Sequence, residues 1–212
     1  MNLRNHMTRY AAITSFLGAA TVLTVPQAVA TDAPANAEYV SSTVRTAKPL
    51  GALGPLTDLV IQRVRVSDDV AASKFGTDSP IEDPVREAQV LEQVRTQAEV
   101  SGVNPDAAVA FFQDQITASK AVQRGLFARW TAHPEEAPTT RPDLGPIRVQ
   151  LDQLTTALLQ ELEDTQALRE KPVACTVQLA LATGSGAVLE RLDTLHRQAL
   201  RAATHTVCRT SE

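Results

Sequence analysis

The chain has 212 residues, a formal net charge of −4 and only 4% aromatic residues. An acidic chain without a basic run excludes an electrostatic grip on nucleic acid or on an anionic membrane surface. Ala, Leu, Val, Gln, Arg and Glu prevail, which is a helical composition, and the length suits one domain with extensions.

Residues 1–30 read as a secretory signal. Arg4 and Arg9 supply the positive start, residues 11–25 are apolar, and Ala28-Val29-Ala30 is an A-x-A cleavage site, with the cut after Ala30. The run falls short of the roughly 20 apolar residues of a membrane span, and an uncleaved anchor is the alternative. Losing Arg4 and Arg9 takes the net charge from −4 to −6. No second apolar span stands out, so the mature chain is expected to be soluble, secreted or periplasmic, with no membrane partner. Residues 31–54 are rich in Ala, Thr, Ser and Pro without periodicity and read as a flexible tail. Residues 55–212 are expected to form one helical domain.

The first helix is expected over residues 55–75, with Leu56, Val60, Val64 and Ala71 on its apolar side and Gly76 ending it. Arg63 and Lys74 stand eleven residues apart. That is three turns, so both point the same way about 16 Å apart; spacing alone fits a solvated face as well. The second helix has two possible starts. Ser79-Pro80-Ile81-Glu82 resembles a capping box, and Asp83-Pro84 offers a start one turn later. Asp83 and Glu87 suit a helix N-terminus, whereas Arg86 opposes the dipole there. This helix stops near Gly102.

Asn104 caps a third helix and Pro105 opens it. Val109, Phe112, Ile116, Phe127 and Trp130 recur at helical steps and read as one buried stripe. Ser119 and Gln123 fall on that stripe. A buried hydroxyl and a buried amide need partners; a satisfied core pair and a polar pocket both remain open. Residues 131–146 hold four prolines and read as a loop. The next helix runs from about Pro146 to Glu170 with Ile147, Leu151, Leu154, Leu158 and Leu162 as its stripe, and Arg148 in its first turn. The last helical segment starts near Ala174 and carries Leu179, Leu181, Val188, Leu192, Leu195 and Leu200.

Cys175 and Cys208 are the two cysteines. An even count in an exported chain favours a disulfide over two free or intermolecular thiols. Thirty-three steps of straight helix would span about 50 Å, so a bridge requires a fold-back, for which residues 183–186 (Thr-Gly-Ser-Gly) are the evident place. No two histidines stand at i, i+3 or i, i+4, so no metal site is expected. Gly184-Ser185-Gly186 lacks the strand of a nucleophile elbow. What remains is Arg63, Lys74, Arg86 and Arg148 with Asp83, Glu87, Ser119 and Gln123, a set suited to a small, multiply negative ligand.

The ordered set RVRVSDDVAASK at 63–74, PIED at 80–83, Arg86, DQITASK at 114–120, FARW at 127–130, the proline-rich loop, Arg148 and two C-terminal cysteines resembles the exported subclass of the all-helical chorismate mutases. The likeness covers residues 55–208. It implies an all-α helical bundle of about five to six helices with a disulfide-closed C-terminal fold-back. It also implies an intramolecular isomerase of the shikimate pathway that converts chorismate to prephenate without a cofactor, commonly as a homodimer with a complete site in each chain. Arg63 and Arg148 would then hold the substrate's carboxylates with Arg86 beside them. Lys74 and Gln123 would donate to the ether oxygen, Asp83 (through its backbone) and Glu87 would take the ring hydroxyl, and Ser119 would bind a carboxylate. Gln123 departs from the glutamate common in exported members. The alternative is a non-catalytic exported helical domain that binds a small dicarboxylate.

Overall fold

The computed structural model describes residues 48–209. The signal and cleavage site expected at residues 1–30 lie outside them. The described residues contain no strand. They form α1 (Gly54–Lys74), α2 (Pro84–Ser101), α3 (Pro105–Ala132), a 3₁₀ turn at Pro134–Glu136, α4 (Leu144–Asp164), α5 (Gln166–Arg169), α6 (Pro172–Leu189) and α7 (Thr194–Ala203). The all-α expectation holds. The helices number seven rather than five or six, because Thr165 separates the short α5 from α4.

Local chemistry explains most boundaries. Of the two possible starts of α2, Asp83-Pro84 is the one used: the Asp83 carboxylate accepts from Arg86 N at 3.0 Å, and Glu87 Oε1 accepts from Asp83 N at 3.4 Å. Gly102 ends α2 at φ +75°, a conformation that favours glycine. Asn104 caps α3 through Ala107 N at 2.9 Å. The fourth helix starts at Leu144, two residues before Pro146, because Asp143 caps it through Gly145 N; Arg148 therefore stands fifth in α4. Residues 48–54 correct the tail boundary. Pro49, Leu53 and Gly54 are buried, and Leu50 N and Ala52 N donate to Ser185 Oγ and Gln178 Oε1.

α3 is the hub, packed against α1, α2 and α7, while α1 also touches α4 and α6. The core joins Leu56, Val60, Ile61 and Val64 of α1 to Phe111, Phe112, Ala118 and Val122 of α3, with Leu158 and Leu162 of α4 and Leu200 of α7. The expected α3 stripe is therefore displaced. Ala108, Phe111, Phe112, Ala118, Val122 and Leu126 are buried, whereas Val109, Phe127 and Trp130 pack at the core's edge. A helix with neighbours on three sides buries more than one row. Phe127 and Trp130 instead meet Phe75 edge to face at 5.3 and 5.2 Å.

The fold-back contradicts its expected hinge. α6 continues through residues 183–186, and the chain turns at residues 190–193. The hydroxyls of Thr183 and Ser185 bond back to Leu179 O and Leu181 O inside the helix. Gly186 serves close packing: a Cβ there would lie 2.8 Å from Ile61 Cδ1. The turn is made by Arg191 at φ +49°, with Leu192 N donating to Ala187 O. Cys175 and Cys208 are bonded, their Cα atoms 5.5 Å apart, so the bridge ties the start of α6 to the segment after α7.

α6 contains no charged residue. It buries only a narrow, small-residue edge (Cys175, Ala182, Gly186) and exposes Val173, Val177, Leu181 and Val188 on the opposite side. Of the apolar residues noted in this segment, Leu181 and Val188 thus face outward. By length and composition α6 is also apolar enough to cross a membrane, which the sequence reading missed because Thr, Ser, Gly and Gln interrupt the run.

Candidate active site

One cavity of about 180 Å³ lies between α1, α2, α3 and α4, and all eight residues singled out by the sequence line it: Arg63, Lys74, Asp83, Arg86, Glu87, Ser119, Gln123 and Arg148. The three-turn spacing puts Arg63 deep and Lys74 near the loop between α1 and α2. Asp83, Arg86 and Glu87 come from the first turn of α2. Ser119 and Gln123 come from consecutive turns of α3, and Arg148 from the exposed start of α4. Ile116 also lines the cavity, which is why it is only partly covered by protein.

Arg63 is 8% exposed. Its Nη1 donates to Leu151 O and to Thr155 Oγ1, both at 3.1 Å, and its guanidinium stands 5.5 Å over the Phe112 ring. Burial pushes its pKa down to about 10 against the opposing pull of Asp152, so it stays charged at neutral pH with its orientation fixed. Lys74 Nζ donates to Pro80 O at 2.9 Å and, more weakly, to Ile81 O at 3.5 Å, leaving a third N–H. Its pKa is lowered, first by burial and also by the nearby Arg148 charge, while Asp83 and Glu87 oppose the shift.

Ser119 and Gln123 belong to a polar chain rather than to an isolated pair. Ser67 Oγ donates to Ser119 Oγ at 2.9 Å and Gln123 Nε2 donates to the same oxygen at 3.1 Å. The Ser119 hydroxyl hydrogen and the second Gln123 N–H are then free as donors. Gln123 is 4% exposed, and its Oε1 has no partner among the described residues.

The sequence reading missed Lys120, Thr155, Asp152 and Ser67. Lys120 and Thr155 line the cavity, but Lys120 follows Ser119 directly and Thr155 sits among the leucines of α4, so spacing gave neither away. Lys120 Nζ meets Glu87 Oε2 at 2.8 Å and Glu82 Oε2 at 3.1 Å; these hydrogen bonds, Glu87's first, raise its pKa against burial. Five cations (Arg63, Lys74, Arg86, Lys120, Arg148) thus face three carboxylates (Asp83, Glu87, Asp152) around the cavity. The excess of two positive charges suits a small dianion, and the N–H and O–H donors suit a ligand with further oxygen acceptors.

The family model for type II chorismate mutases matches residues 55–124, which span α1, α2 and most of α3. The secreted chorismate mutase of Mycolicibacterium smegmatis is 35% identical over 164 residues, covering 77% of this chain and 90% of that protein. That of Mycobacterium tuberculosis is 33% identical over 156 residues, covering 74% and 78%. Among solved structures, a chorismate mutase from Burkholderia phymatum superposes with a TM-score of 0.71 at 37% identity, covering 75% of this chain and 97% of that one. One from Burkholderia thailandensis gives 0.70 at 40% identity, covering 74% and 99%. With an all-helical fold and a cation-rich cavity built largely from the matched segment, this chain belongs to the type II chorismate mutase family.

Proposed function

We infer that the chain is a chorismate mutase, acting outside the cytoplasm on chorismate to give prephenate. In this rearrangement the ether C–O bond breaks as a new C–C bond forms within one molecule, so no atom leaves and no redox partner is consumed. The observation that carries the reading is the cavity's excess of two cations, which matches the two carboxylates of chorismate.

Arg63 and Arg148 hold those carboxylates, with Arg86 beside them and Ser119 donating to one. The grip selects a compact conformer with the reacting carbons near each other, and this supplies orientation. Negative charge grows on the ether oxygen as its bond breaks. Lys74 and Gln123 donate to it, and because both are already aimed by Pro80 O and Ser119 Oγ, they favour the transition state over the ground state. Glu87 and the Asp83 backbone receive the ring hydroxyl. No base or nucleophile is needed.

Export is part of the same proposal. Residues 1–30 act as a signal cleaved after Ala30, and the relatives named secreted together with the Cys175–Cys208 bridge support it. The homodimer implied by the family resemblance would pair α6 with α6, an uncharged helix that strands no charge against its own copy. Incubating the mature protein with chorismate and following the loss of its ultraviolet absorbance tests the activity. Binding without turnover would leave a dicarboxylate-binding domain, and N-terminal sequencing of exported protein tests the cleavage site.

A further inference from the structure

The start of α2 brings Asp83, Arg86 and Glu87 to the cavity, yet its first two turns place no side chain in the core. No residue from 84 to 93 is buried; within that stretch Leu91 packs part-buried against the core, and Val94 and Ala98 are the buried residues of this helix. A helix end with so slight an apolar anchor opens readily. Polar contacts must hold it, and Lys120 on α3 stands at their centre. Its Nζ bonds Glu87 in the first turn of α2 at 2.8 Å and Glu82 in the preceding loop at 3.1 Å. Arg124, one turn further along α3, also pairs with Glu82. The side chains of Lys120 and Glu87 are 17% and 21% exposed, so this pair is better sheltered from solvent than an open surface bridge.

Lys120 lines the cavity and could pass for a fifth cation that holds an anionic substrate. Two of its three N–H groups are committed to carboxylates, however, and both bonds lead to the weakly anchored start of α2 and the loop before it. We propose that Lys120 is a positioning residue that pins the start of α2 and the loop before it to α3, so that Glu87 and the Asp83 backbone stay fixed at the hydroxyl end of the cavity. The proposal rests on the chorismate reading of that cavity. Glu82 is the second point of the pin and does not line the cavity, which makes it the discriminating position.

The test uses mature, disulfide-bonded protein and the variants Lys120→Met, Lys120→Arg and Glu82→Ala. The measurements are kcat and KM for chorismate, thermal stability, and amide hydrogen exchange over residues 84–93 without substrate. Lys120→Met is expected to raise KM about tenfold, equivalent to one lost charge-assisted bond, with a smaller change in kcat. Lys120→Arg restores most of it. Glu82→Ala raises KM in the same direction by about threefold, as loss of a more exposed pair predicts. Lys120→Met and Glu82→Ala both speed exchange over residues 84–93 while the melting temperature hardly moves. If Lys120 instead grips the substrate, Glu82→Ala releases one more of its N–H groups, KM stays level or falls, and exchange over 84–93 is unchanged; either result overturns the proposal. A wild-type protein that leaves chorismate intact defeats the functional reading, while the exchange measurement still judges the pin.

Discussion

At the scale of single residues, depth separates groups that the sequence presents as equals. Arg63 is buried, stacked on Phe112 and held by Thr155 and Leu151 O, whereas Arg148 is exposed at the start of α4. Arg63→Ala removes a charge-assisted partner in a largely dehydrated setting and should lower kcat/KM roughly a hundredfold or more; Arg148→Ala should lower it by roughly tenfold. If both variants stayed within about threefold of wild type, the assignment of the cavity would be wrong. Gln123 makes a different claim. An amide donates at every working pH, so kcat/KM should be flat from about pH 5 to 8, outside the ordinary carboxylate and lysine ranges. At higher pH it should fall as Lys74 loses its proton, earlier than an ordinary lysine because burial lowers its pKa. Gln123→Glu should make activity decline as pH rises through the new carboxylate's pKa, since only the protonated acid can donate. A wild-type profile that already declines steeply between pH 5 and 7 would remove Gln123 from the role of ether-oxygen donor.

At the scale of elements, α6 and α7 carry two predictions. Gly184 and Gly186 look alike in sequence, yet a Cβ at Gly184 meets nothing within 4 Å while one at Gly186 meets Ile61 and Pro49. Gly184→Ala should stabilise the protein by about 0.5–1 kcal/mol through helix propensity, and Gly186→Ala should forfeit that gain to overpacking; two thermal melts decide it. His196 clasps α7 to α1. Its Nε2 meets Asp68 Oδ1 at 2.9 Å and its Nδ1 meets Asp193 Oδ1 at 2.7 Å, and the Asp68 hydrogen bond foremost raises its pKa to about 9. The folded value lies above the ordinary 6.5, so the contribution is full below that pH and is lost as pH rises through about 9. His196→Gln should therefore lower the melting temperature clearly at pH 6 and little at pH 10. The same two elements mark where the sequence was hard to read. Helices α1 to α4 were legible because caps and apolar periods are local signals. The hinge at residues 190–193 was not, because Thr183 to Gly186 carry turn-forming residue types whose hydroxyls and missing Cβ serve the helix interior. For the site, the eight ordered residues could be read from one stripe and a family likeness. Lys120 and Ser67 could not, because their meaning lies in contacts to Glu87 and Ser119, 33 and 52 positions away.

At the scale of the whole molecule, the disulfide and the cavity stand apart. The bridge closes a 33-residue separation at the α6–α7 end, and neither cysteine lines the cavity. Its loop-closure contribution is about 3–4 kcal/mol. Reduction should lower the melting temperature while leaving turnover at moderate temperature nearly intact. Mass spectrometry of exported protein showing two free thiols would contradict the bridge itself.

All eight proposed substrate-binding residues line the cavity from a single chain. A protein released from its cell meets a volume that can be treated as unlimited, where any assembly with a finite dissociation constant comes apart. A site divided between subunits would vanish with the square of concentration. A site closed within one chain survives separation, so specific activity should hold constant down a dilution series that would take the proposed homodimer to monomer. An enzyme built in this way keeps working wherever a single molecule of it drifts.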